Sequence, residues 1–318
     1  MCRLKSGIIL RDRIFVPEYD SHTKMLEELG IEDNYLTASK TFVRFELSPK
    51  DGDTFSSIDS WVLNIDQDIV PDWYDEEIYK PQVVEKVKDW AKDHIHIGID
   101  NLDISFGDEH YIKDCKNVCI RGNATVEYIG GSTTISYIAS DAIVNWICDS
   151  TRVDHIFGEA TVFHIIENVM VRNMSGNTTI RTISGNARVE NIFGNVIIMS
   201  IRGNATVGNI FDKAIITSIH GNAVITGIHG DVIVKDMFSK ARIKNIGGNT
   251  IVKNICGDTI IENIYGKAIV INDSFIWKNK NTLTISEDAT FKDCETKTIY
   301  QSKDWKIVNT NNDNIEHE

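Results

Sequence analysis

The middle of this chain repeats with a period of nine residues, and the repeat restricts the fold more than any other feature. Seventeen repeats follow one another from Arg121 to Asp273 without an insertion. The sixth position is Val or Ile in all seventeen, the ninth is Ile or Met in sixteen, and the second is Gly in twelve. Such strict spacing predicts that each repeat is one structural step of a solenoid.

Each repeat has the pattern of a short β-strand with one buried face. Apolar positions four and six alternate with mostly polar positions five and seven, and β-branched residues suit the pleat. A Gly-Asn or Gly-Asp pair at positions two and three provides the positive φ of a tight corner. Because one strand cannot enclose a core, the repeats predict an all-β parallel β-solenoid, or β-helix, over residues 121–273.

The number of strands in each coil follows from residues that match at a longer period. Side chains at equivalent places in successive coils stack about 4.8 Å apart and tend to be similar. Fourth-position alanines recur at every third repeat, at Ala160, Ala187, Ala214, Ala241 and Ala268. This recurrence predicts a three-stranded, 27-residue coil, with somewhat under six coils in the array. A two-stranded, 18-residue coil is the alternative.

The array resembles bactofilin-like and phage-type β-helices, and that resemblance implies an architecture without an activity. Nonapeptide calcium rolls need a GGxGxD loop, whereas the sixth position here is always Val or Ile, so no calcium binding is expected. The opening stretch SGIILRDRIFVPEYDSHTKMLEELGI resembles uncharacterised proteins of phages, prophages and gut bacteria. This second resemblance implies a mobile-element origin and a place in the host cytoplasm.

The pattern divides the chain into four parts. We predict a small acidic α+β domain over 1–100, an N-terminal cap of the solenoid over 101–120, the solenoid over 121–273, and a C-terminal cap with a polar tail over 274–318. The first part should contain strands near Gly7–Leu10, Thr41–Leu47 and Trp61–Ile65, and helices near His22–Leu29 and Pro81–Asp93.

Charge and cysteine content limit the functional classes. Residues 1–100 carry 12 Lys and Arg against 21 Asp and Glu, a net charge of −9, which disfavours nucleic-acid binding by that domain. The six cysteines form no CxxC pair, which fits a reducing cytoplasm. No apolar run approaches the roughly 20 residues that a membrane span requires, so we expect no membrane insertion.

The candidate catalytic residues are Cys2, His22 and Asp20. Cys2 would become the N-terminal residue after removal of Met1 and could then act as nucleophile, with His22 and Asp20 as partners. The competing interpretation is structural, because Asp20 and Ser21 are preferred helix N-cap residues and His22 then falls in the first turn. We expect no cofactor and no metal site.

Two surfaces of the predicted 27-residue coil are candidates for binding. The first is a basic column beside an aromatic column, suited to an anionic ligand and made of Phe211, Lys213, Phe238, Lys240, Arg242, Lys244, Tyr265 and Lys267. The second is an outward apolar column, suited to self-association and made of Ile143, Met170, Ile197, Val224 and Ile251.

These features favour a non-enzymatic binding or scaffold protein that presents solenoid faces to a macromolecular partner or to itself. One alternative is a hydrolase or transferase that uses Cys2 and His22 and carries the solenoid as an appendage. Another is an acidic mimic of nucleic acid that inhibits host defence. The array itself has 13 basic and 13 acidic residues, which argues against the mimic.

Overall fold

The computed structural model describes residues 5–272, 284–285, 288–293, 298–301 and 306–309. The chain forms two compact units. The N-terminal unit contains residues up to Ile97 together with Asp108–Tyr111, and the solenoid unit contains Gly98–Gly107 and the residues from Ile112 onwards. None of the helices in the described part is both long and apolar enough to cross a membrane.

A four-stranded antiparallel sheet forms the centre of the N-terminal unit. Its strands are β1 (Lys5–Leu10), β2 (Ile14–Phe15), β3 (Phe42–Ser48) and β4 (Val62–Ile65), in the order β2-β1-β3-β4. A short strand, β5 (Ile95–Ile97), follows later in the chain. The sheet confirms the three strands that the sequence predicts in this region.

Three α-helices accompany this sheet: α1 (His22–Glu28), α2 (Tyr35–Ala38) and α3 (Glu76–His94), with a 3-10 turn at Ile58–Ser60. The predicted start of the last helix at Pro81 is wrong. Asp75 caps the helix by accepting a hydrogen bond from the Glu77 amide, so α3 begins one turn and more before the proline.

The solenoid unit consists of short strands that alternate between two sheets. The strands up to the last repeat are β6 (Asp103–Ile104), β7 (His110–Lys113, of which only Ile112 and Lys113 belong to this unit), β8 (Val118–Ile120), β9 (Thr125–Gly130), β10 (Thr134–Ile138), β11 (Ile143–Ile147), β12 (Arg152–Ile156), β13 (Thr161–Ile165), β14 (Met170–Met174), β15 (Thr179–Ile183), β16 (Arg188–Ile192), β17 (Ile197–Ile201), β18 (Thr206–Ile210), β19 (Ile215–Ile219), β20 (Val224–Ile228), β21 (Ile233–Met237), β22 (Arg242–Ile246), β23 (Ile251–Val252), β24 (Ile260–Ile264) and β25 (Ile269–Asn272).

Even-numbered strands from β6 to β26 (Thr284–Ile285) form one sheet, and odd-numbered strands from β9 onwards form the other. The parallel stack begins upstream of the first repeat, because β6 already pairs with β8. After the last repeat, β27 (Thr290–Asp293) pairs in parallel with β25. The strands β28 (Thr298–Gln301) and β29 (Lys306–Asn309) then continue the sheet in antiparallel pairing.

The predicted three-stranded, 27-residue coil is wrong, because each coil has two strands and follows the 18-residue period. Ile197 pairs with Ile215, and Ile215 pairs with Ile233. Ala187 and Ala214, which the prediction placed in one column, precede strands of different sheets and so belong to different columns. The solenoid has about 10 turns rather than fewer than six.

The composition of the core explains the two-sided coil. Positions four, six and nine point inward and are occupied by Ala, Thr, Val, Ile and Met, with no aromatic side chain over residues 121–272. Two sheets packed face to face are about 10 Å apart, and side chains of this size fill that space. A three-sided coil would have a wider interior for the same small side chains to fill.

The corners agree with the predicted role of the second position. All seventeen second positions have a positive φ, including the five occupied by Ser, Asp or Glu, such as Asp212 at 59°. At Gly221 the backbone of Gly203 lies so close that an added Cβ would meet its nitrogen at 2.9 Å. Glycine therefore serves both the corner conformation and the close stacking of coils.

Candidate functional site: the outer faces of the solenoid

Two outer faces follow from the two-sheet coil. We call the outer side of the odd-numbered strands from β9 to β25 the odd face. The outer side of the even-numbered strands is the even face. Fifth and seventh positions of the repeats point outward on both faces. Residues 18 apart are therefore neighbours on one face, whereas residues 27 apart lie on opposite faces.

The structure does not bring the predicted apolar column together. Ile143, Ile197 and Ile251 lie on the odd face, whereas Met170 and Val224 lie on the even face. The prediction is wrong because it sampled every third repeat, and so alternated between the two sheets.

The odd face instead carries five isoleucines in five consecutive coils, which the sequence prediction only partly identified. We call this column the isoleucine stripe; its members are Ile197, Ile215, Ile233, Ile251 and Ile269. Ile197 is 39% exposed, and the other four are half-buried by their neighbours within the sheet. Met199, at 49% exposed, adds to the apolar surface beside the first member.

Upstream coils show that a parallel ladder does not itself require isoleucine at this position. The equivalent residues of the first four odd repeats are Thr125, Ile143, Thr161 and Thr179. Threonine is also β-branched and suits an outward strand position while offering a hydroxyl to water. Strand stability alone therefore does not explain why the outward position changes from mostly threonine to isoleucine in every later coil.

The even face differs in composition at the same position. Its fifth positions include Arg152, Arg188 and Arg242 among threonine and apolar residues. Arg242 forms an ion pair with Glu262 of the next coil. This face therefore lacks an uninterrupted apolar column within the described repeats.

The predicted basic and aromatic columns are also divided between the two edges of the coil. Phe211, Lys213, Tyr265 and Lys267 lie where the chain enters odd-numbered strands. The remaining predicted residues belong to the repeat of β22: Phe238 and Lys240 lie where the chain enters that strand, and Arg242 and Lys244 lie within it. No single column of like charges forms from these residues.

The neighbours of the lysines also show that the predicted basic column does not form. Lys213 stands one coil from Asn195 and one coil from Asp231. Lys240 likewise has Asn222 as its neighbour one coil upstream. Opposite charges and amides thus alternate with the lysines, so these residues do not form the predicted basic column.

A stack of aromatic rings runs along the edge that leads into the odd-numbered strands. Phe193 and Phe211 are 5.2 Å apart between ring centroids at 7°, and Phe211 is 5.5 Å from His229. The Tyr265 hydroxyl lies 3.0 Å from Nδ1 of His229, because Gly247 leaves the intervening coil empty. These rings stack on one another, so their faces are already in contact within the chain.

A ladder of side-chain amides stabilises the edge that leads into the even-numbered strands, and Asn195 donates to Asn177 on the other edge. Asn186 donates to Asn168, Asn204 to Asn186, and Asn222 to Asn204, at 3.0–3.3 Å. Each side-chain amide therefore has a partner one coil away. These ladders are repeated structural contacts and do not form a distinct site.

Of the three catalytic candidates, the structure describes Asp20 and His22, and each has partners in its own surroundings. Asp20 accepts a hydrogen bond from the Ser6 amide and pairs with Lys5, whereas Ser21 caps α1. His22 has Nδ1 3.0 Å from Asp66 and Nε2 3.1 Å from the carbonyl oxygen of Phe45. Cys2 lies outside the described residues. Ser21 is the N-cap of α1 and His22 lies in its first turn, as the capping interpretation predicts, whereas Asp20 does not cap the helix.

The N-terminal unit has an acidic cleft of about 560 Å³ beside α2. Asp33 and Arg44 form an ion pair at its wall, and Asp66 accepts from His22. Tyr35 at its rim is 72% exposed. Among the described residues, no three His, Cys, Asp or Glu side chains stand where they could hold a metal ion.

Histidine rings form a buried cluster in the same unit. His94 stacks on Trp90 and on His110, and Nε2 of His96 lies 3.2 Å from Nδ1 of His110. Burial, together with the neighbouring rings of His110 and His94, lowers the pKa of His96 to about 4. A neutral His96 is therefore part of the packed state near neutral pH.

Comparison with known protein families, with curated proteins and with solved structures finds no match for this chain. The candidate function consequently rests on the geometry of the chain's own faces.

Proposed function

We propose that this chain is a non-enzymatic scaffold that binds a protein partner through the odd face of its solenoid. The observation that carries the proposal is the isoleucine stripe, in which five outward isoleucines follow one another at the same position of consecutive coils. Contiguous outward apolar columns on a folded surface mark contacts with other proteins.

The rigidity of the solenoid supports a scaffolding role. Every coil is bonded to the next through both sheets, and the interior is a continuous apolar core. Such a unit presents side chains at a fixed spacing of about 4.8 Å along its axis. A flat partner surface can therefore contact several coils at once without ordering a loop, which lowers the entropic cost of binding.

The experiment compares two matched double variants that differ in the face they alter. Ile215→Asp/Ile251→Asp places two charges on the isoleucine stripe, and Val224→Asp/Ile260→Asp places two charges at equivalent half-buried positions of the even face. Size-exclusion chromatography with light scattering and quantitative cross-linking in the source cell then report self-association and bound proteins.

We expect the odd-face variant to lose the bound protein, whether that is a second copy or another chain, while the even-face variant keeps it. Circular dichroism should show the strand content of both variants unchanged. Equal binding by wild type and both variants, with the fold intact, would contradict the proposal.

A further inference from the structure

The outward side chains that flank the isoleucine stripe decide which partner fits it. Two residues before and two residues after each stripe residue also point outward on the odd face or its edge. At Ile233 these flanking residues are Asp231 and Lys235, both exposed, and at Ile251 they are Asn249 and Lys253. A partner must therefore have an apolar column that contacts the isoleucine stripe. Beside that column it must place positive charge opposite Asp231 and negative charge opposite Lys235.

We propose that the partner is a second copy of this chain, packed odd face to odd face with the two solenoids parallel. This proposal rests on the proposed function and names the protein that the odd face binds. In this arrangement the two-fold axis runs along the solenoid axis, so each coil faces the same coil of the other copy. Every isoleucine of the stripe then meets its own equivalent.

Charge complementarity favours the parallel arrangement. The two-fold axis reverses the strand direction, so the residue before each isoleucine faces the residue after the equivalent isoleucine. Asp231 of each copy then faces Lys235 of the other, and Lys253 faces the Asn249 amide. Upstream on the same face, Arg181 of each copy would face Asn177 of the other in the same way. Across the nine odd-numbered strands from β9 to β25, no two like charges meet.

Antiparallel packing fails on the same residues. When two antiparallel copies are centred on Ile233, Asp231 faces Asp231 and Lys235 faces Lys235. When they overlap along their full length, centred on Ile197, the isoleucine at 215 meets a threonine and Glu159 faces Asp231. Like charges in contact across an interface are strongly unfavourable, and the second overlap also loses the apolar match.

The area of the odd face is close to that of a standard dimer interface. Seven of the nine strands have five or six residues, about 17 Å or more, and β23 and β25 are shorter; with a spacing of about 4.8 Å the face measures at most roughly 700 Å² per copy. A standard specific interface buries about 800 Å² per partner. The contact therefore requires most of the odd face, and the isoleucine stripe occupies the C-terminal half of it.

Single charge reversals at the exposed pair test the arrangement without touching the stripe. Asp231→Lys alone or Lys235→Asp alone would place like charges opposite each other on both sides of the parallel dimer. Each single variant should raise the dimer Kd at least tenfold in sedimentation equilibrium. An equimolar mixture of the two variants should restore a heterodimer with close to wild-type affinity, since opposite charges then meet again.

Other outcomes would overturn the inference. A wild-type chain that is monomeric at micromolar concentration, or dimers whose affinity neither single reversal changes, would exclude the parallel dimer. If the mixture does not recover the affinity, the effects of the single variants arise from changes within one copy. This result would also exclude the parallel dimer. If the wild type is monomeric but Ile215→Asp/Ile251→Asp still loses a different bound protein, the scaffold function stands and only the dimer is rejected.

Discussion

The two units of this chain bury different kinds of side chain. In the described residues, all of the buried lysine and histidine lies in the N-terminal unit, at Lys5, His94, His96 and His110. The solenoid buries columns of small aliphatic residues with threonines among them. A solenoid can therefore distribute its stability over many equivalent contacts, whereas the N-terminal unit depends on a few specific polar ones.

Lys5 provides the largest expected contrast between the units. Its side chain is fully buried, its ammonium lies 3.1 Å from Asp20, and it stands 4.9 Å from the ring centroid of Trp90. Lys5→Ala leaves Asp20 without this partner and opens a cavity. We therefore expect the free energy of unfolding to fall by about 3–5 kcal/mol. Hydrogen exchange should report the loss in the N-terminal unit and not in the central coils.

The double variant Lys5→Met/Asp20→Asn serves as the control for this prediction. It replaces the pair with neutral groups of similar size and should recover most of the stability. If Lys5→Ala leaves the stability unchanged, the N-terminal unit does not depend on the ion pair between the buried Lys5 and the partly exposed Asp20.

A smaller effect is expected from overpacking the solenoid at Ala214. This side chain is fully buried, and its neighbours one coil away at the same inward position are Val196 and Val232. Ala214→Leu should destabilise the solenoid by about 1–3 kcal/mol. Lys213→Leu, at the exposed adjacent residue, is the matched control and should be close to neutral in chemical denaturation. Equal effects of the two variants would contradict the inward placement.

The smallest expected difference between the two units is the effect of acidification on their stability. His96 has a pKa lowered to about 4 in the folded state by burial and by His110 and His94, against 6.5 for the ordinary group. The unfolded chain therefore takes up a proton first as the pH falls, and stability is lost from about pH 7 towards pH 4. Between pH 7.5 and pH 5 the N-terminal unit should lose up to about 2 kcal/mol.

His96→Gln tests this assignment, because it removes the titrating ring. The slope of unfolding free energy against pH over this window should flatten in the variant, as measured by denaturant titration at each pH. An unchanged slope would assign the acid sensitivity to other groups.

Much of the fold could be predicted from the sequence because every nine-residue repeat has the same inward apolar positions and the same corner residue. The alternation around Val126 and its equivalents predicts inward columns, and glycine at the second position predicts the corners, which the positive φ values confirm. The N-terminal strands and α1 were predictable from local patterns. The buried position of Lys5 was not, because its partners Asp20 and Trp90 are distant in sequence.

The number of strands per coil could not be predicted because the choice between an 18-residue and a 27-residue coil depends on packing across the interior. The alanines at 160 and 187 match in type but face the core from opposite sheets. The stripe itself was present in the sequence as Ile215, Ile233 and Ile251, at a spacing of 18. A search for outward apolar residues at that spacing would have identified it.

Intramolecular disulfide formation across one coil tests the central claim most directly, because the stripe exists only if residues 18 apart are neighbours. Adjacent strands place Cα atoms about 4.8 Å apart, within the range that a disulfide bridges. The test pair is Ile215→Cys/Ile233→Cys, and the control pair is Ile215→Cys/Arg242→Cys, which the 27-residue coil would have made neighbours. Peptide mapping of the oxidised monomer identifies the linkage. We predict rapid and complete linkage of the first pair and none of the second; the reverse result would contradict the two-sheet coil and the face built upon it.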